Sequence, residues 1–93
     1  MDIRFYIDTE ADLPHIYRHK VSEAEVEEVL SRPGEDRPGQ EGTRVAIGRT
    51  SNGRYLRVIY TLDRVSASVF VITAYEIQGK ALTAYQRRRR KKK

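Results

Sequence analysis

Two side chains in this sequence have types suited to nucleic-acid chemistry, and the alternation of their strands could bring them together. Arg57 lies in the run Leu56-Arg57-Val58-Ile59-Tyr60, where period-two alternation sends it opposite to Leu56 and Val58. A guanidinium can hold two phosphate oxygens at once. Tyr75 ends the apolar run Val69–Tyr75. Taking Phe70, Ile72 and Ala74 as the inward set of that run puts Val71, Thr73 and Tyr75 outward, on the side of Arg57. A tyrosine ring there can stack on a nucleobase. Arg54 is a second phosphate candidate. His19 is a candidate general acid or base, because imidazole exchanges a proton near neutral pH; Glu76 is another. The plain alternatives are a solvated arginine, an edge tyrosine and a histidine that only packs beside a helix.

The chain ends in seven cations, Arg87, Arg88, Arg89, Arg90, Lys91, Lys92 and Lys93. Residues 1–36 hold ten acids against four Lys/Arg, and residues 37–93 hold three acids against fourteen. The second half therefore makes a positive field suited to a polyanion. With Arg54 and Arg57, these seven are the candidate RNA-binding cations. Without residues 87–93 the chain carries eleven Lys/Arg and thirteen acids, so the tail supplies the net +5. A run of this kind can also be merely solubilising.

Two other patterns point to less. His15 and His19 are four apart, as zinc-binding histidines often are, but no Glu follows His15 and no third ligand is evident. We expect no metal and no cofactor. Gly48 to Gly53 has the glycine spacing of a phosphate loop, but Arg54-Tyr55 and a strand follow where Lys-Ser/Thr and a helix are needed. Cysteine is absent, which excludes disulfides and thiolate zinc sites and fits a cytoplasmic protein. The start, MDIRFYID, lacks the features of a signal peptide, and the longest apolar run, Val69–Ile72, is too short to span a bilayer, so no membrane partner is expected.

The elements that must position these residues follow from periodicity. Ile3, Phe5 and Ile7 alternate as a strand. Leu13-Pro14 opens a short helix over 13–19. Ser22 and Glu25 form a capping box, with Val21 and Val26 as its hydrophobic staple, which predicts a helix near 23–31. The segment 32–42, with two Pro-Gly pairs, reads as a mobile loop. Strands follow around Val45–Ile47, Leu56–Tyr60 and Val69–Tyr75. Asn52-Gly53 predicts a type I′ hairpin turn between the first two. A last helix follows Gly79, with Leu82 and Tyr85 on one face. The expected fold is α+β in the order β-α-α-β-β-β-α, a mostly antiparallel sheet with helices on one face. Residues 1–86 would form one domain, with 87–93 a basic tail that is either disordered or a frayed helix.

Several segments together resemble the BrnT-like toxins of the RelE/ParE-like superfold. Arg18-His19-Lys20-Val21, ahead of a Glu-rich capped helix, is similar to their K-H-G-V motif. Gly53-Arg54-Tyr55-Leu56, the run Val71–Tyr75 and the closing basic helix are similar to their later elements. Lys20 stands where that motif has glycine, and Tyr75 where the family commonly carries arginine. The resemblance implies the toxin of a type II toxin–antitoxin pair, with RNA as substrate, a cognate antitoxin as partner and ribonuclease activity. On this reading Arg57 and Arg54 would bind phosphate, and Tyr75, His19 and Glu76 would serve stacking or proton transfer without a metal. The alternatives are a non-catalytic nucleic-acid-binding domain of the same fold, or an interaction domain for an acidic peptide.

Overall fold

The computed structural model describes residues 2–91. Strands β1 (Asp2–Phe5), β2 (Ile7–Asp8) and β3 (Leu13–Pro14) lead into a 3-10 helix, His15–His19. Helix α1 (Glu23–Ser31) is followed by β4 (Glu35–Pro38), β5 (Arg44–Arg49), β6 (Tyr55–Asp63) and β7 (Ser68–Glu76), and the basic helix α2 (Gly79–Lys91) comes last. Five strands form one sheet in the order β1-β7-β6-β5-β4. Only β1–β7 is parallel; the other pairs are antiparallel. The class is α+β with a mostly antiparallel sheet, as the periodicity predicts.

Helix α1 starts where the capping box places it. Ser22 Oγ accepts from the Glu25 amide at 3.1 Å, and the Ser22 amide donates back to Glu25 Oε1 at 3.0 Å. Val21, Val26 and Val29 are fully buried against Ala46, Leu56, Val58, Val71 and Ala74. This is the main core, and it confirms that Leu56 and Val58 face α1 while Arg57 faces away.

The fold departs from strict periodicity in five places. Helices cover both faces of the sheet, not one. Ala81, Leu82 and Tyr85 of α2 pack with Ile47 and Tyr55, whose side chains alternate with those facing α1. The segment 32–42 contains β4, with Pro38 tolerated because β4 is an edge strand. Gly34 in that segment is required by packing, since a Cβ there would stand 1.9 Å from Tyr85 Oη. The first strand breaks after Phe5, and Ile7-Asp8 pairs instead with Leu13-Pro14, so no helix begins at residue 13. The Asn52-Gly53 turn is not type I′. Gly53 has φ +90° while Asn52 keeps negative φ, and the Gly53 and Thr50 amides bond to Thr50 O and Arg54 O, which closes a three-residue loop.

The fifth departure concerns the phase of β7. Ile59 pairs with Thr73 and Tyr60 with Val71, leaving Ile72 as an extra residue in a β-bulge. The bulge turns Val69, Val71 and Ala74 inward, and Phe70 and Ile72 outward. Strict alternation predicts Phe70 and Ile72 inside and Val71 outside; it holds at Thr73, Ala74 and Tyr75, which lie beyond the slip.

The capping box makes a direct prediction. Ser22→Ala should lower the unfolding free energy by about 1 kcal/mol, because the amides at the start of α1 lose their acceptor. Chemical denaturation of the two proteins measures this; coincident curves would mean the cap contributes nothing.

Candidate nucleic-acid interface

The bulge places Arg57 and Tyr75 directly opposite each other on β6 and β7. Arg57 Nη1 donates to Tyr75 Oη at 3.3 Å, and its guanidinium carbon lies 5.9 Å from the Tyr75 ring centre. Both side chains face a cavity of about 470 Å³ on the half of the sheet that α2 leaves open. Ile59, Ile72 and Thr73 form its floor, and Arg37, Thr43 and Val45 of the β4–β5 hairpin border it. Arg57 Nε and Thr73 Oγ1 are buried, and among the described residues neither has a hydrogen-bond partner.

His19 reaches this site from outside the sheet. Because β1 pairs only with Ser68–Val71, the rest of the β7 edge is bordered by the 3-10 helix. The His19 ring meets the Tyr75 ring edge-on at 5.9 Å. His15 lies 5.4 Å beyond His19, and Tyr6 6.0 Å beyond His15, so four rings run in a row towards Arg57. Asp8 lies beside His15 in this row. Its Oδ2 is 3.6 Å from His15 Nδ1 and also accepts from Arg18, a bond that holds the Asp8 carboxyl below its usual range despite burial. The sequence marks Thr73 only as outward-facing and His15 only as a weak zinc-ligand candidate, and gives no sign of Tyr6 or Asp8. Their convergence depends on the break after Phe5 and on the bulge, which period-two alternation does not reveal. Among the described residues no three His, Cys, Asp or Glu side chains come together as a metal site.

The remaining candidates lie elsewhere. Arg54 is drawn into the fold, where its Nη1 donates to both Glu25 oxygens at 2.9 Å and to the Lys20 carbonyl at 2.9 Å. Glu76 is 3.4 Å from Arg54 and opposite Leu56 in register, so it faces away from Tyr75. The terminal cations are helical as far as Lys91, the helical one of the two states expected for this tail, and Lys92 and Lys93 lie outside the described residues. Arg88 forms a bidentate pair with Glu35 at 2.6 and 2.9 Å, and Arg89 donates to the Gly34 carbonyl at 2.7 Å. Arg87, Arg90 and Lys91 remain exposed. Basic residues in the last turn also suit the negative end of the helix dipole. No helix among the described residues is long and apolar enough to cross a membrane.

Comparison of the chain with protein-family models, with curated proteins and with solved structures gives no match.

Glu25 ties α1 to the β5–β6 hairpin. Burial pushes its pKa up, but the Ser22 amide, Arg54 and Asn52 outweigh this and hold it below the ordinary value. A carboxylate with a lowered folded pKa stabilises the protein above its unfolded value, about 4.3, and loses that contribution as pH falls through the folded value. Arg54→Ala should therefore cost about 2–3 kcal/mol at pH 7, because Glu25 would stay buried without its cation. The penalty should shrink as the pH falls below about 4. Urea denaturation at pH 7 and at pH 3 checks both statements; an Arg54→Ala variant as stable as the parent at pH 7 would show the pair to be dispensable.

Proposed function

We propose that this chain is a BrnT-like toxin of the RelE/ParE-like superfold, one that binds RNA in the cytoplasm and cleaves it, and that is held in check by a cognate antitoxin. The observation that carries the proposal is the Arg57–Tyr75–His19 cluster at the rim of an open cavity. Arg57 adds a buried donor that the fold itself does not use. A buried donor without a partner costs about 1–3 kcal/mol, a cost that packing alone does not repay and that points to a role for this side chain. Lys20 adds support. Its φ is +59°, the left-handed conformation that the glycine of the resembled motif would adopt without strain.

The chemistry needs only groups found here. A base takes the ribose 2′-OH proton, and O2′ bonds to phosphorus as the P–O5′ bond breaks. An acid then returns a proton to O5′. His19 serves as the base. Tyr75 Oη accepts from Arg57, which leaves its own proton free to be donated to the leaving oxygen. Arg57 balances the charge that builds on the phosphoryl oxygens.

Initial rates on a short fluorogenic RNA test this reading. Arg57→Ala should reduce kcat/KM about 10- to 100-fold, as expected for a lost charge-assisted phosphate contact, with the melting temperature nearly unchanged. His19→Ala should reduce kcat about 100-fold or more. A 2′-deoxy residue at the cleaved position should abolish the reaction and spare binding. Tight binding with no cleavage by folded protein would replace this reading with that of a non-catalytic nucleic-acid-binding domain.

A further inference from the structure

A second basic site lies on the other flank of α2. The helix packs over Ile47 and Tyr55, so Val45 and Arg57 emerge on one side of it and Arg49 on the other. There Arg49, Tyr55, Tyr85, Gln86, Arg89 and Arg90 line a groove of about 410 Å³. The Arg49 guanidinium lies over the Tyr55 ring at 5.8 Å, and Tyr55 meets Tyr85 edge-on at 6.0 Å.

Among the described residues, the arginines lining this groove form no direct carboxylate pair, although Glu35 lies near Tyr85 and Glu28 lines a neighbouring pocket with Arg49. Arg18, Arg44, Arg54 and Arg88 each bond to a carboxylate. Among the described residues, the Arg49 and Arg90 side chains have no hydrogen bond or ion pair, and the Arg89 side chain donates only to a backbone carbonyl. That bond holds the Arg89 side chain in place and leaves most of its five donors free. Three like charges beside one groove repel each other, and an anion relieves that repulsion.

We propose that this groove binds one nucleotide of single-stranded RNA. Its phosphate would sit among the Arg49, Arg89 and Arg90 guanidiniums, and its base would lie against the Arg49–Tyr55 stack. The guanidiniums are suited to phosphate oxygens, and an aromatic wall needs an unpaired base, so the groove favours a single strand over a duplex. The inference takes the ligand class from the reading of the chain as an RNA binder, but it does not depend on cleavage. The site serves as an anchor away from the Arg57 cavity, so strand length should matter to affinity.

The test uses the full chain and a fluorescein-labelled 2′-O-methyl oligoribonucleotide, which binds but lacks the attacking hydroxyl. Titrations over a range of salt compare the parent with R49Q/R90Q and with R64Q/K80Q, a charge-matched pair of exposed residues outside the groove. We expect R49Q/R90Q to weaken binding at least tenfold more than R64Q/K80Q. It should also flatten the slope of log K against log salt by about 1.4, for two lost contacts at about 0.7 each. Cleavage of unmodified RNA is measured in parallel. Selective loss of binding in a parent that cleaves nothing would leave this site standing and remove only the nuclease reading. Equal effects of the two double variants, or no binding by the parent, would overturn the inference.

Discussion

One extra residue in β7 sets up the rest of the site. Ile72 is opposed by no residue of β6, so the strand changes phase between Val71 and Thr73. On the N-terminal side of the slip, Val69 and Val71 complete the core under α1; on the C-terminal side, Ala74 does so. Had the strand kept strict alternation, burying Val71 would have turned Thr73 and Tyr75 inward as well. The bulge lets both ends bury apolar side chains while Tyr75 stays opposite Arg57 on the other face. Bulges commonly re-aim side chains in this way beside functional sites.

The two arginines three residues apart on the β6 side illustrate how similar residues can divide their work. Arg54 is held by Glu25 and the Lys20 carbonyl, and locks the 3-10 helix, α1 and the hairpin into one body. This lock keeps the residues that carry His19 against the end of β7. Arg57 has no carboxylate partner among the described residues and turns to the open cavity. The terminal cations divide likewise. Arg88 and Arg89 fasten α2 to the start of β4, where Gly34 leaves room for Tyr85, while Arg87, Arg90 and Lys91 stay exposed. The charge split along the chain thus becomes structural as well as electrostatic.

Capping and uninterrupted alternation were legible in the sequence; turn type and long-range pairing were not. The Ser22–Glu25 box gave the start of α1 because capping is decided within four residues. Leu56 and Val58 were readable as core because β6 alternates without interruption. The phase of β7 was not readable throughout, since a bulge leaves no mark in a run where every residue is apolar or β-branched. Strand β4 was hidden because Glu35–Pro38 has no strand propensity of its own and forms by pairing with β5. The helix cations looked like a free tail because their partners, Glu35 and the Gly34 carbonyl, lie more than fifty residues away in the chain. For the same reason Arg54 read as a phosphate ligand, and the Tyr6–His15–His19 row went unseen.

The central claim is that His19, Tyr75 and Arg57 form one centre that directs the ribose 2′-oxygen onto the neighbouring phosphate. The chemical nature of the fragment ends tests it most directly. Purified protein is incubated with an RNA of defined sequence in a buffer containing a chelator, and the fragments are weighed by mass spectrometry. The account predicts upstream fragments ending in a 2′,3′-cyclic phosphate and downstream fragments beginning with a 5′-hydroxyl. Fragments carrying a 3′-hydroxyl and a 5′-phosphate, or intact RNA after incubation with correctly folded protein, would contradict it.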